Sequence, residues 1–403
     1  MNSCQTFVGR SSTHWRTIVG RLNGSLWLLV AIAAFAAMAG CNESASGQSN
    51  FTSASGQLDF TSVVNGLIST AQTTNPVPSL CVAIGKKGNV IYSSCSGLID
   101  VADKIPATPT SIYRIASVTK QFTAALIMLL ANQNPPALSL SDPVSKYVPE
   151  LSSDPAVTIM SLLNMSAGLV DYTTLPEVTS WFNGVAPATV IDALAPLPLD
   201  FPAGAAFEYS NSDPFVLGAV IESISGMSYS AYIQNTLLGP YGLNSTHYGP
   251  SPTGANAIGY TLDDSGAFVP ALVIDPSALY AAGALTSDVL DIVKWDWLLL
   301  GGALLPAAAV SQMTTPPPIN GSSHSEPSVY GFGLIATELY GRPLVMHGGT
   351  VPGFNDVTST FTDIGWSIAV MSNISVNNYP VTSLWRQIVA AVSAPDSQFR
   401  SEC

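Results

Sequence analysis

The chain has 403 residues, 47% of them apolar and 10% charged, with a formal net charge of −13. This length and apolar content allow one large or two interleaved domains around a deep core, and exclude a disordered chain as a whole. The acidic balance would repel phosphate backbones and argues against nucleic acid as a partner.

Residues 1–40 carry Arg10, Arg16 and Arg21 and no acids, followed by an apolar run from Leu26 to Ala39 that ends in Met38-Ala39-Gly40-Cys41. This reads as an export signal closing in a stretch that resembles a bacterial lipoprotein box, with Met38 in place of the usual leucine. The thiol of Cys41 would then carry the lipid that anchors a periplasmic or cell-surface protein to its membrane. An ordinary cleaved signal and an uncleaved anchor are the alternatives, although the run is short for a bilayer span. Residues 41–57, rich in Ser, Asn and Gly, read as a flexible tether.

From Leu58 onward, Phe60, Val63, Val64, Leu67 and Ile68 follow helical spacing, and Leu384, Trp385, Ile388 and Val392 do so near the other end. Ser79 to Gly85 and Val90 to Ser96 read as a hairpin around Lys87-Gly88-Asn89. Pro343 to Gly349, Asp356 to Thr362 and Ser367 to Ser372 read as further short strands. Strands at both ends predict an α/β (α+β) architecture with one antiparallel five-stranded sheet, built from both termini and flanked by helices. A three-residue loop would set Cys81 opposite Cys95, either as a disulfide or, since cross-strand bridges are geometrically awkward, as two buried thiols. The stretch 112–305 is broken by clusters such as Asn134-Pro135-Pro136 and Phe201-Pro202-Ala203-Gly204, which predicts an inserted, mostly helical part. Within it, Thr286-Ser287-Asp288 offers a helix start with a hydroxyl cap and early acids. Pro316-Pro317-Pro318 begins a loop. The domain is therefore 58–394, with 58–111 and 306–394 as its α/β part and 395–403 as a tail.

Ser117-Val118-Thr119-Lys120 holds the only serine that stands three residues before a lysine, and it opens the apolar run Gln121 to Leu130. Positions i and i+3 share a helix face, so the amine can take the serine's proton, and burial favours its uncharged form. The competing reading has Ser117 cap the helix while Lys120 reaches outward from the first turn. Tyr209-Ser210-Asn211 is the only Tyr-x-Asn and precedes another apolar helix. A phenol whose ionised form is favoured by a nearby ammonium can shuttle protons, and an amide can hold a substrate carbonyl; a packed turn capping the next helix is the alternative. His347-Gly348-Gly349 ends a strand and is weak as a pattern, since His247-Tyr248-Gly249 also fits; its position at a strand edge selects it. The N–H groups of Thr350 and Ser117 could there form two arms of an oxyanion hole. The chain has no Gly-x-Ser-x-Gly elbow, no His-Glu-x-x-His and no cysteine pairs at zinc spacing, so neither a metal nor another cofactor is implied.

These three motifs, in this order, resemble the serine β-lactamase and penicillin-binding protein superfamily, especially its branch of β-lactamase-related esterases and D-peptidases. Leu162 to Leu169, Ala282 to Asp288 and Tyr330-Gly331-Phe332-Gly333 add to the resemblance, which covers Leu58 to Ala394. It implies a β-lactamase/transpeptidase-like fold and an acyl-enzyme on Ser117. Lys120 and Tyr209 would share the acid/base work, Asn211 would bind a substrate amide, and His347, Gly348, Gly349 and Thr350 would form the opposite wall. The implied substrate is a small molecule or peptide: an ester, an amide or a D-amino-acid peptide. Members that destroy β-lactams usually carry lysine, then threonine or serine, then glycine on that strand. A neutral His347 and a hydroxyl-free Gly348 favour an esterase or peptidase over a true β-lactamase. A D-alanyl-D-alanine carboxypeptidase is a further alternative, and a non-catalytic receptor for cell-wall fragments is the alternative of another class.

Overall fold

The computed structural model describes residues 60–152, 154–315, 329–375 and 380–393. The export signal, Cys41, the tether, Pro316-Pro317-Pro318 and the tail lie outside the described residues. Helix α1 (Phe60–Thr74) turns Val64 and Ile68 inward, as its spacing requires, and leads to β1 (Ser79–Lys86) and β2 (Asn89–Asp100). The turn between them has two residues rather than three. Lys87 and Gly88 have φ of 50° and 78°, the conformation that a tight hairpin with right-twisted strands needs. A bulge between Ile84 and Gly85 then shifts the register by one, so Cys81 still faces Cys95. The two form a disulfide.

The strands β3 (Ile105–Pro106), β4 (Val329–Tyr330), β5 (Ile335–Leu339), β6 (Arg342–Val351), β7 (Phe354–Phe361) and β8 (Trp366–Ser372) complete the sheet. It is antiparallel, in the order β3-β2-β1-β8-β7-β6-β5-β4. Its five long strands coincide with the five expected ones, and the sheet is wider because β3, β4 and β5 extend its edges. Two residues carry no alternation to read, which is why β3 and β4 escape a pattern search. β1 pairs with β8 from Leu80↔Ser372 to Lys86↔Trp366, joining the two ends of the chain.

Between β3 and β4 lie α2 (Thr119–Ala131), α3 (Ser212–Ser225) and α4 (Pro276–Gly283), which pack on one another. α2 is buried from Thr119 through Met128, as a helix without a polar stripe must be. Phe122 stacks on Trp295 with ring centroids 3.8 Å apart. Each large apolar side chain buried in this way contributes about 1.5–3 kcal/mol. Trp295 lies on α5 (Val289–Leu300), whose first turn is capped by the carboxylate of Asp288, accepting from the Asp291 N–H at 2.7 Å, rather than by a hydroxyl.

Thr358 and Ser359 are neighbours on β7 and so point to opposite faces of the sheet. Thr358 donates to Asp296 of α5 at 2.6 Å, whereas Ser359 accepts from the Trp385 indole of α6 (Pro380–Ser393) at 2.8 Å. Hence α5 covers one face, and the two terminal helices α1 and α6, in contact with each other, cover the other.

Candidate active site

Ser117 sits in a tight 3-10 turn, Ala116–Val118, that feeds into α2. Ala116 has a φ of 43°, which a residue with a β-carbon adopts only under constraint, at a cost of about 1–3 kcal/mol. The constraint comes from both sides. The Ile115 N–H donates to Leu285 O at 3.1 Å and the Val118 N–H to Ile115 O at 3.0 Å. Opposite them, β6 approaches so closely that a β-carbon at Gly349 would stand 2.3 Å from Ile115 O. No side chain caps this turn or α2. The Ser117 hydroxyl faces Lys120 instead, which removes the capping alternative.

Lys120 is 1% exposed, whereas Ser117 is half-buried. The Lys120 Nζ lies 3.0 Å from Ser117 Oγ, 2.9 Å from Asn211 Oδ1 and 2.9 Å from Ala282 O. It also lies 5.0 Å from the centroid of the Tyr209 ring. The Ala282 carbonyl reaches it because α4 is interrupted at Tyr280 (φ 43°, ψ −133°); Ala281 O turns with it and accepts from Thr123 at 2.7 Å. Burial pushes the amine down to about 7, with nearby Asp171 pulling the other way, so a large uncharged fraction exists at neutral pH.

The Tyr209 hydroxyl is hydrogen-bonded to the Ser117 side chain. Its pKa does not fall as the sequence suggested. Burial raises it, and the bond to Ser117 offsets this only in part, so the phenol keeps its proton and acts as a donor or relay.

Asn211 precedes α3 without capping it; Ser210 Oγ accepts the Ser212 N–H at 3.1 Å, and the Asn211 amide turns to other partners. Its Nδ2 donates to Asp171 Oδ2 at 3.0 Å. Asp171 was not among the expected site residues. In sequence it signals only the turn it starts, where Oδ1 accepts from Thr173 N at 3.0 Å and Thr173 Oγ1 at 2.8 Å.

On the opposite wall, His347 is 1% exposed. Its Nδ1 is 2.6 Å from Gly348 O, an acceptor only, so Nδ1 carries the proton and Nε2 accepts from the Tyr330 hydroxyl at 3.3 Å. Burial, followed by the charge of Lys120, drives the imidazolium down to about 3, against the pull of the Gly348 carbonyl. The ring is therefore uncharged at neutral pH. Three residues after Tyr330, Gly333 (φ 69°) lies against α2, where a β-carbon would stand 2.4 Å from Lys120 O. The Thr350 hydroxyl accepts from Asn355 Nδ2 at 2.8 Å.

The structure thus brings Ser117, Lys120, Tyr209 and Asn211 together, with His347 and Gly349 on the strand across from them. A hydroxyl held between an amine near neutrality and a protonated phenol has what acyl transfer requires: a base for the attacking group and an acid for the departing one.

This fold and constellation are of the β-lactamase/transpeptidase type. A D-stereospecific amidohydrolase from Streptomyces sp. superposes with a TM-score of 0.69 at 25% identity, over 82% of this chain and 98% of its own. The beta-lactamase family profile matches residues 64–393, and the chain belongs to that family. It is 25% identical to a D-aminopeptidase of Gluconobacter oxydans, covering 76% of this chain and 58% of the relative. It is 31% identical to protein flp of Staphylococcus aureus, covering 78% and 63%. The chain therefore spans under two thirds of the length of either curated relative.

Proposed function

We propose that this protein is an exported, lipid-anchored serine hydrolase that works through an acyl-enzyme on a small ester, amide or D-amino-acid peptide. The observation that carries this reading is the Lys120 amine, 1% exposed, brought to about 7 and 3.0 Å from the Ser117 hydroxyl. Ser117 Oγ attacks the substrate carbonyl while its proton passes to Lys120, directly or through Tyr209. The oxyanion is held by the N–H groups of Ser117 and Thr350. Tyr209 returns a proton to the departing oxygen or nitrogen, and a water then repeats the sequence to release the acid.

The neutral His347, tied to Tyr330 and Gly348, supports a substrate without an obligatory carboxylate at the departing end, and so an esterase or amidase over a true β-lactamase. The D-aminopeptidase and the D-stereospecific amidohydrolase, as relatives, support the same class. Export and lipidation rest on residues 1–41 of the sequence.

A fluorophosphonate probe should label the protein, Ser117→Ala should abolish the label, and a p-nitrophenyl ester or D-amino-acid amide should turn over faster than a chromogenic cephalosporin. An unlabelled protein sinks the proposal. Labelling by a fluorescent penicillin without turnover of any of these substrates favours the receptor reading. In cells, metabolic labelling with a fatty-acid analogue should vanish in Cys41→Ser.

A further inference from the structure

The orientation of the Asn211 amide decides which way the Lys120 amine can act. Among the described residues, Nζ has three hydrogen-bonding oxygen partners. Two of them, Asn211 Oδ1 and Ala282 O, can only accept a hydrogen bond, while the third, Ser117 Oγ, can give or take one. An uncharged amine has two N–H bonds and one lone pair. With both N–H bonds directed at the two obligate acceptors, the lone pair is left for the serine proton.

This arrangement holds only while Asn211 presents oxygen, not nitrogen, to the lysine. An amide has nearly the same shape in either orientation, so its partners choose. The chooser here is Asp171. Its Oδ2 lies 3.0 Å from Asn211 Nδ2, and a carboxylate takes hydrogen bonds without giving them. Asp171 is itself fixed by Thr173 through two bonds to Oδ1. The second Asn211 amide hydrogen is left for a substrate carbonyl.

We propose that Asp171 is a positioning residue that holds the Asn211 carbonyl toward Lys120, so that the lysine lone pair is aimed at the Ser117 hydroxyl. This deepens the reading of Ser117 as nucleophile and rests on it. Without the carboxylate, the Asn211 amide can turn and donate to the lysine lone pair, which occupies the electrons the reaction needs. Asp171 makes no contact with Ser117 in this scheme; its effect passes through Asn211.

The test is the rate at which a fluorophosphonate phosphonylates Ser117 in the full chain, followed from pH 5.5 to 9. Asp171→Asn keeps the shape and the oxygen that accepts from Thr173. It should lower the high-pH plateau by about 10- to 100-fold, the usual cost of mispairing a buried polar group. It should also move the acid-side midpoint to lower pH, because the anion beside Lys120 is gone. In an Asn211→Ala background the same change should lower the plateau less than about 3-fold, since the group it orients is absent. Asp171→Ser, which retains a capping oxygen but is too short to reach Asn211, gives the same readouts should the first variant fold poorly.

A plateau and midpoint equal to the parent's overturn the proposal, as do equal losses in the two backgrounds, the mark of a structural role alone. Should the parent itself go unlabelled, the nucleophile assignment falls and this inference with it. A labelled parent with an indifferent Asp171→Asn variant removes the inference alone.

Discussion

Folding changes the acid/base chemistry of Lys120. In water its amine would hold a proton to above pH 10; in the folded chain burial brings it to about 7. In the proposed reaction it accepts the serine proton and must be uncharged, so activity should rise with pH through about 7 and level off above. For a p-nitrophenyl ester, kcat/KM should show this single acid limb, and Lys120→Ala should lower the plateau by about 10²- to 10⁴-fold while the melting transition stays cooperative. A rate indifferent to pH between 5.5 and 8.5 would refute the assignment. His347 adds no second limb in this range, since its proton leaves near pH 3.

Among the elements, the β1–β2 hairpin shows how local chemistry and register cooperate. A two-residue turn with both φ positive starts the pairing, one bulge corrects it, and the disulfide then spans 14 residues of chain. A link closing a loop of that size restricts the unfolded chain by about 2–4 kcal/mol. Replacing Cys81 and Cys95 together by serine should therefore lower the urea midpoint. An unchanged midpoint would show that the hairpin is held by its strands and by β8 alone. β6 is the complementary case: its glycine at 349 admits the Ile115–Ser117 turn, so a strand edge and a helix start meet without a side chain between them.

At the scale of the whole molecule, several carboxyls among the described residues are buried, and of these only Asp291 is influenced by a cation, Lys294. Burial holds Asp213, Asp288, Asp291, Asp296 and Asp356 above the ordinary carboxylate range, Asp291 at about 6 and Asp296 at about 7. The folded chain keeps these protons where the unfolded chain releases them near pH 4. Their stabilising effect is complete below that pH and fades as pH rises through 6 and 7. Groups lowered by burial act in the opposite sense, His247 and His347 below about 6.5 and Lys120 as pH rises through about 7, but they are outnumbered. Self-repulsion from a net charge of −13 adds to the loss at higher pH. The melting temperature should be higher at pH 5 than at pH 7.5, and Asp296→Asn should narrow the gap. A higher value at pH 7.5 would contradict this account.

The sequence by itself determined the features that repeat at short range. The two terminal helices follow from a period of 3.6 residues, and the five long strands from short runs bounded by turn residues. The Ser117–Lys120 pair follows from one helical turn, and the burial of α2 from the absence of any polar stripe. Only the tertiary structure decided the rest. Lys120 meets Asn211 across 91 positions of chain and Ala282 across 162. The Tyr209 phenol, expected to lose its proton more readily, keeps it because burial outweighs its polar neighbours. Asp171 gains its significance only beside Asn211, and the sheet gains three short strands from edges that no periodicity marks. Periodicity is written in neighbouring residues, whereas solvent exclusion and the orientation of an amide arise from residues that only folding brings together.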